Sequence, residues 1–269
     1  MHGISRNLVF SINSGRCGSR YLAGLLATAS GVRAFHEAEP SMNGPFLQMM
    51  RDAPPGASFT ARSVKAQVIH RILDHLPAGT GYAETNHMFI KTFSDVVMDA
   101  FGDSNIRVIV LRRYLPVVLK SFINMGYFSE RNQVWPSWMH LPGTCDSAFV
   151  PPESDQTPDQ YDLAIGYLLD IEARIHRFRS RYPDCILLET SLEALQEADN
   201  VATLFAGLGL QPTAQTLAMT GKITNQRSAR KAAIDIDTTL EDCRERIVSY
   251  LENCARNGVT VPPLPQLEL

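Results

Sequence analysis

The sequence predicts an α/β fold in which helices flank a mostly parallel central sheet. Short apolar runs alternate with amphipathic segments along the chain, as in repeated β–α–β units. The segment IRVIVLRR, residues 106–113, is rich in β-branched residues, which is typical of a central parallel strand buried on both faces. The 269 residues are 45% hydrophobic, enough for a sizeable core. No repeat or linker is evident, so one domain over residues 1–269 is expected.

The same patterns predict the remaining elements. Strands are expected at 7–13 and 185–190, and an extended segment at 82–92. Helices are expected over 21–30, 61–76, 94–101 and 115–123, and a long helix should open with Thr157 and Pro158. A last helix should start near Thr239, whose spacing to Asp242 resembles a capping box. Residues 127–157 and 211–237 carry no periodicity, and the former is expected to be an inserted loop or lid.

Composition excludes several classes of function. The net charge of −3 gives no general attraction to nucleic acid or anionic membranes, so an anion site must be local. The five cysteines form no C-x-x-C pair and no other metal-ligand cluster is evident, which predicts neither a disulfide framework nor a metal site. No segment approaches the roughly 20 apolar residues of a membrane span. We expect a soluble, cytoplasmic protein.

The segment SINSGRCGSRYLAGLL, residues 11–26, passes from a strand to a helix through a glycine-rich turn. The backbone N–H groups of such a turn, together with the helix N-terminus, form a cradle for an anion. Gly15 and Gly18 allow the bend, Arg16 adds a guanidinium and Ser19 adds a hydroxyl. Neither G-x-x-x-x-G-K-[ST] nor G-x-G-x-x-G is present. The alternative is a purely structural turn.

The residues SGRCGSRYL resemble the 5′-phosphosulfate loop of sulfotransferases that use 3′-phosphoadenosine 5′-phosphosulfate (PAPS), which usually reads S-x-R-S-G-[ST]-[ST]-x-L. The resemblance implies a three-layer, P-loop NTPase-like sulfotransferase fold, with PAPS as co-substrate and 3′,5′-ADP as product. It implies that the 5′-phosphosulfate is bound by Ser14, Gly15, Arg16, Cys17, Gly18, Ser19 and Arg20. Cys17 and Arg20 depart from the usual Ser and Ser/Thr.

The segment VIVLRRYLPVVLKSF, residues 108–122, resembles the 3′-phosphate motif of the same family, in which a strand ends in Arg and a Ser follows eight residues later. Arg113 and Ser121 have this spacing. Arg112 and Lys120 have it too, but Ser121 supplies the hydroxyl of the family, which favours the first pair. A strand end and the helix after it meet at one crevice, so both side chains can reach one phosphate. The alternative is a surface arginine pair.

Two later segments are similar to the family as well. Residues 185–213 match its late strand and the following helix, and are expected to pack in the core. The basic segment NQRSARK, residues 225–231, corresponds to a late loop that often covers the nucleotide. The resemblance implies that Arg227, Arg230 or Lys231 contacts PAPS, and a solvated basic turn is the alternative.

In a sulfotransferase the hydroxyl that accepts the sulfuryl group must lose its proton to a base. The segment AFHEAEP, residues 34–40, provides candidates for this base. Several sulfotransferases have a catalytic Glu at about this distance after the loop Arg, and Glu37 lies 21 residues after Arg16. Glu37 is therefore the first choice. His36 is second, because histidine is the base in the cytosolic branch, and Glu39 is third. The alternative is that His36 and Glu37 form a surface capping pair.

Side chains for the acceptor are expected from two segments. Alternation over 82–92 predicts residues 85, 87, 89 and 91 on one strand face, with His87 as another base or an acceptor contact. Lys91 would approach the bridging oxygen of the leaving phosphate. Trp135 and Trp138 lie in the 127–157 loop, and would cover the acceptor or anchor the loop to the core.

The function implied by this resemblance is transfer of a sulfuryl group from PAPS to a hydroxyl, less often an amine, of a small-molecule or carbohydrate or glycolipid acceptor. Glu37, His36 and Arg16 are the expected catalytic residues. The alternatives are a small-molecule or nucleoside kinase with an atypical phosphate loop, and a non-catalytic nucleotide-binding module.

Overall fold

Five parallel strands form the centre of the protein. In this computed structural model, which describes residues 6–153, 157–222 and 238–267, the strands are β1 (Leu8–Ile12), β2 (Val32–His36), β3 (Gly81–Thr85), β4 (Ile106–Arg112) and β5 (Ile186–Ser191). Their order in the sheet is β2-β3-β1-β4-β5. Every residue of β1 and β3 is buried. A strand is buried on both faces only when helices cover both, so the predicted α/β fold is confirmed.

Helices connect and flank these strands. They are α1 (Ser19–Ala27), α2 (Pro45–Asp52), α3 (Pro55–Arg62), α4 (Val64–His75), α5 (Ser94–Phe101), α6 (Leu115–Asn124), α7 (Gln160–Arg181), α8 (Ala198–Gly207), α9 (Ala214–Met219) and α10 (Leu240–Arg256). α1 packs on β2 and β3, α4 packs on β3 and α5, and α6 packs against α7 and α10. None of the helices within the described ranges combines the length and the apolar character needed to cross a membrane.

The order of the strands determines where a site can form. Parallel strands end at the same edge of a sheet, and β1 lies between β3 and β4. The turn after β1 therefore lies beside the segments that follow β3 and β4. Ligands of parallel α/β sheets bind at this carboxyl edge, where the connections leave in opposite directions.

The extended segment predicted over 82–92 is wrong beyond residue 85. The side-chain oxygen of Asn86 accepts a hydrogen bond from Met88 N at 2.9 Å, and a π-helical turn, Phe89–Phe93, follows. Residues 85, 87, 89 and 91 therefore do not share a strand face. His87 and Lys91 nevertheless meet, because a helical turn brings residues four apart onto one side.

Capping explains two further differences. Asp159, rather than the predicted Thr157, caps α7, and Gln160, rather than Pro158, is its first residue. The carboxylates of Asp159 and Asp162 each accept a hydrogen bond from the backbone N–H of the other. Residues 214–219 form α9, although 211–237 was predicted to be irregular. A threonine at the third helical position, Thr216, closes that capping box in place of the usual Glu or Gln. The box predicted at Thr239 is confirmed.

The loop that begins at residue 127 is irregular in its described part, 127–153, but it is packed. Its side chains Phe128, Met139, His140 and Phe149 are buried. The Asp170 carboxylate of α7 accepts hydrogen bonds from the backbone N–H groups of 148 and 149, which ties the loop to the core. This loop is therefore held by the fold along much of its length.

His140 in this loop should make stability depend on pH. Burial, and after it the nearby Arg174, lower its pKa to about 3. The unfolded chain, with a histidine pKa near 6.5, binds this proton below pH 6.5 while the folded protein does not. Stability should thus fall as the pH drops, by about 1.6 kcal/mol between pH 6.5 and pH 5 from this residue alone.

The measurement is urea unfolding of the wild type and of His140→Gln at both pH values. Glutamine cannot take up a proton, so the variant should lose about 1.6 kcal/mol less over this interval, even if it is less stable at pH 7. Equal losses in the two proteins would contradict the prediction.

Candidate active site

The turn between β1 and α1 lies at the carboxyl edge of the sheet. Gly15, Arg16 and Gly18 have φ of 82°, 60° and 88°, a region that favours glycine. The side-chain oxygen of Asn13 accepts a hydrogen bond from Gly15 N at 3.0 Å and stabilises the bend. No side chain among the described residues caps α1, so its first N–H groups have no side-chain cap from that part of the chain. Such groups suit an anion.

Gly18 and Cys17 fix this turn on the side that faces the protein interior. A Cβ added to Gly18 would lie 2.6 Å from Leu192 Cδ1, so glycine is required by packing as well as by φ. The Cys17 thiol is buried, lies 3.0 Å from the Ser14 hydroxyl and donates to Gly15 O at 3.3 Å. Burial raises the pKa of this thiol to about 11. Cys17 therefore holds the turn with its side chain and has only backbone to offer a ligand.

The residues predicted for the two phosphates lie together. Arg16 Nε donates to Ser121 Oγ at 3.0 Å, and Arg113 Nη1 donates to Arg16 O at 3.3 Å. Ser121 lies on α6, directly after β4. Among the described residues, Arg113 Nε is buried without a hydrogen-bond partner, and the Glu193 carboxylate lies 4.0 Å from it. Such an unpartnered donor can accept an anionic ligand.

Arg112 points elsewhere. Its Nη2 donates to Glu172 at 2.9 Å, and its Nη1 donates to Glu189 at 2.6 Å. A guanidinium that already binds two carboxylates has little capacity left for a phosphate, which favours Arg113 over Arg112. Ser19 is half-buried in the first turn of α1 and Arg20 is exposed. Arg227, Arg230 and Lys231 lie outside the described residues.

Glu37 lies immediately after β2, and its backbone is strained, with φ of 50°. Its N–H donates to Thr85 O at 3.1 Å. Its carboxylate Oε1 is 3.7 Å from His87 Nε2 and 3.9 Å from His36 Nε2. Two histidines and one carboxylate therefore converge at the carboxyl ends of β2 and β3. Glu39 is exposed and accepts a hydrogen bond from Ser41 N.

A buried lysine holds the segment that carries Glu37. Lys65 Nζ donates to Ala38 O at 2.6 Å, to Pro40 O at 3.0 Å and to the Glu84 carboxylate at 2.8 Å. Burial lowers the pKa of Lys65, and Glu84 opposes this effect. These bonds over-determine the path of residues 38–40, which is how a strained backbone such as that of Glu37 persists.

His87 lies against the turn as well as against Glu37. A Cβ added to Gly15 would lie 3.6 Å from His87 Nδ1. Burial lowers the pKa of His87 well below its usual value, and Lys91 and His36 lower it further. The Lys91 side chain is fully buried, and its Nζ lies within hydrogen-bond distance of His87, Trp138 and Tyr167. The expected approach of Lys91 to a leaving phosphate stays a prediction.

Comparison with solved structures identifies the architecture. The sulfotransferase domain from the curacin biosynthetic pathway has a TM-score of 0.51 at 15% identity, over 92% of this chain and 98% of that chain. The chain has the sulfotransferase fold. A sulfotransferase from Alicyclobacillus acidocaldarius gives a TM-score of 0.48 at 12% identity, over 94% of each chain. STF9 from Mycobacterium avium gives 0.43 at 10%, over 97% of this chain and 79% of that chain. No protein-family model matches the sequence, and no curated protein does.

The two tryptophans differ in position within this sulfotransferase fold. The Trp138 ring stacks on His87, with centroids 5.4 Å apart, so it lines the candidate site. Trp135 Nε1 donates to Ser129 O at 3.1 Å, and its ring packs 5.0 Å from that of Phe128. Trp135 therefore anchors the loop. Burial raises the pKa of the Tyr127 hydroxyl, the nearby Arg16 lowers it and the nearby Glu37 raises it.

The sequence patterns did not indicate two residues that contact the turn of the candidate site. Asn13 stabilises the turn, and an Asn directly before Ser-Gly is a recognisable signal for such a side-chain-to-backbone bond. Tyr167 of α7 donates to Ser14 O at 2.9 Å. Tyr167 carries no signal of its own, because its contact with a residue 153 positions away depends on how α7 packs.

Proposed function

We propose that the protein is a PAPS-dependent sulfotransferase. Its acceptor would be the hydroxyl, less often the amine, of a small molecule or of a carbohydrate or glycolipid. The observation that carries the proposal is the contact between the two predicted phosphate motifs, the hydrogen bond from Arg16 to Ser121 beside Arg113. One nucleotide can then be held at both its 5′-phosphosulfate and its 3′-phosphate. The sulfotransferase fold supports this reading.

The donors in the site fit two separate anionic groups. On one side are the N–H groups of the turn and of the uncapped start of α1, with the exposed Arg16 guanidinium. On the other side are Arg113, whose Nε has no hydrogen-bond partner among the described residues, and the Ser121 hydroxyl, which Arg16 contacts. Charge-assisted hydrogen bonds of this kind bind phosphate and sulfate well.

Transfer would proceed by in-line attack of the acceptor oxygen on sulfur. Glu37 would take the hydroxyl proton as the O–S bond forms and the bond from sulfur to the bridging oxygen breaks, releasing 3′,5′-ADP. Arg16 and the N–H groups of the turn would stabilise charge on the transferred group and on the leaving phosphate. His36 is the alternative base, and His87 and Trp138 would contact the acceptor.

Nucleotide-dependent thermal stability tests the proposal. Ligand at 100 times its dissociation constant stabilises a protein by about 2.7 kcal/mol, so 3′,5′-ADP should raise Tm by about 5–10 °C. 5′-AMP lacks the 3′-phosphate and should raise it less. A preference for ATP with Mg²⁺ would instead support a kinase, and no response to 3′,5′-ADP would reject the proposal. Release of 3′,5′-ADP from PAPS in a screen of phenols and monosaccharides would then separate an enzyme from a binding module.

A further inference from the structure

A buried lysine lies behind the proposed base. Lys91 belongs to the π-helical turn Phe89–Phe93, and its side chain has no exposed surface. Its Nζ is 2.6 Å from Trp138 O, 3.1 Å from the Tyr167 hydroxyl and 2.9 Å from His87 Nδ1. All three partners are neutral groups, so this is not an ordinary buried ion pair. The contact between Lys91 and His87 can determine which ring nitrogen of His87 carries the proton.

If Lys91 is an ammonium, the hydrogens around its Nζ can be assigned from the partners. The Tyr167 hydroxyl donates its only hydrogen to Ser14 O at 2.9 Å, so toward Lys91 its oxygen accepts. The Trp138 carbonyl can only accept. An ammonium has three N–H bonds, and after these two oxygens the third points at His87 Nδ1. Nδ1 must then be unprotonated, and a neutral imidazole keeps its single proton on Nε2.

The other side of the ring favours the same tautomer. His87 Nε2 lies 3.7 Å from Glu37 Oε1. An N–H at this position attracts the carboxylate, whereas a lone pair would repel it. Burial lowers the pKa of Lys91 well below that of an exposed lysine, Arg174 adds to this effect and Glu37 opposes it. If the Lys91 amine were neutral, the Nδ1–H of His87 would donate to it. The lone pair of Nε2 would then face the Glu37 carboxylate and repel it. The position of Glu37 therefore favours a protonated Lys91.

We propose that Lys91 is a positioning residue that fixes His87 as the Nε2–H tautomer, and that this N–H orients the Glu37 carboxylate toward the acceptor hydroxyl. The inference rests on the proposed sulfuryl transfer at this site. Glu37 is then the base, and His87 is a donor rather than a competing base. Tyr167 extends the same set of contacts to Ser14 in the turn, which couples the position of the base to the donor site.

The test is the tautomer of His87, read by NMR of protein with ¹⁵N-labelled histidine at pH 7.5. The chain has seven histidines, and His87 is assigned by the signal that His87→Gln removes. The wild type should show Nε2–H. Lys91→Met fills the same space without a donor, so the single tautomer should be lost while 3′,5′-ADP affinity stays within about twofold. Turnover of PAPS with a screened acceptor should fall by about tenfold or more, and KM for PAPS should stay constant.

Tyr167→Phe is the matched control. It removes one acceptor from Lys91 but retains the lysine, so His87 should keep the Nε2–H tautomer. An Nδ1–H tautomer in the wild type would overturn the proposal, as would an unchanged tautomer in Lys91→Met. If Lys91→Met does not fold, an Nδ1–H tautomer in the wild type or in Tyr167→Phe would still overturn the proposal. Failure to bind 3′,5′-ADP with the expected tautomer present would reject the proposed function instead, so the two failures are distinguishable.

Discussion

Glu37→Gln is expected to lower the turnover number by about 10²–10⁴-fold, the usual contribution of general base catalysis. Glutamine has the same shape as glutamate but cannot accept the proton of the acceptor hydroxyl. The contacts of Arg16 and Arg113 do not involve this side chain, so 3′,5′-ADP should bind as tightly as to the wild type. The measurement is release of 3′,5′-ADP from PAPS with an acceptor found in the screen.

Glu39→Gln is the control for this variant. Glu39 is a carboxylate two residues away, but it is exposed, and it lacks the close histidines that flank Glu37. Its turnover should remain within about twofold of the wild type, as for most exposed substitutions. If Glu37→Gln retains its turnover and His36→Asn loses it, His36 is the base.

Arg113→Met should weaken 3′,5′-ADP binding by about 10–100-fold, because hydrogen bonds to charged groups contribute about 1.5–3 kcal/mol. The affinity for 5′-AMP, which has no 3′-phosphate, should change little. The stability of the protein without nucleotide should also change little. Within the described part of the chain, Arg113 makes one backbone hydrogen bond and one ion contact at 4.0 Å, and removing these leaves no buried charge there unpaired. Calorimetric titration with both nucleotides measures the difference.

Arg112→Met is expected to give the opposite pattern. It would leave the buried Glu172 carboxylate without its guanidinium partner, which costs about 3–5 kcal/mol in other buried pairs. The melting temperature should therefore fall while the preference for 3′,5′-ADP over 5′-AMP is kept. Loss of that preference in Arg112→Met, but not in Arg113→Met, would assign the 3′-phosphate to Arg112.

The parts of the site that follow strand ends could be predicted from the sequence. The turn 14–18 and the pair Arg113 and Ser121 are local patterns, and parallel strands bring local patterns to one edge. The path after β3 could not be predicted, because an apolar run such as 88–90 suits a strand or a helical turn equally well. The Asn86 side chain, which bonds to Met88 N at the end of the strand, is the detail that decides it.

The contacts around Lys91 lay beyond sequence reasoning for a different reason. A buried lysine has no periodic signature, and its partners Trp138 and Tyr167 come from a loop and a helix far along the chain. Only packing brings them together. Buried polar groups must find partners, so such clusters are fixed by tertiary structure rather than by local propensity.

Two hydrogen bonds within the protein already hold Arg16 in place. Its guanidinium donates to the Ser121 hydroxyl, and its backbone carbonyl accepts from Arg113. Little conformational entropy then remains to be lost when a nucleotide docks there. Discrimination among nucleotides should consequently reflect the phosphates that each one presents, rather than the cost of shaping the protein around them.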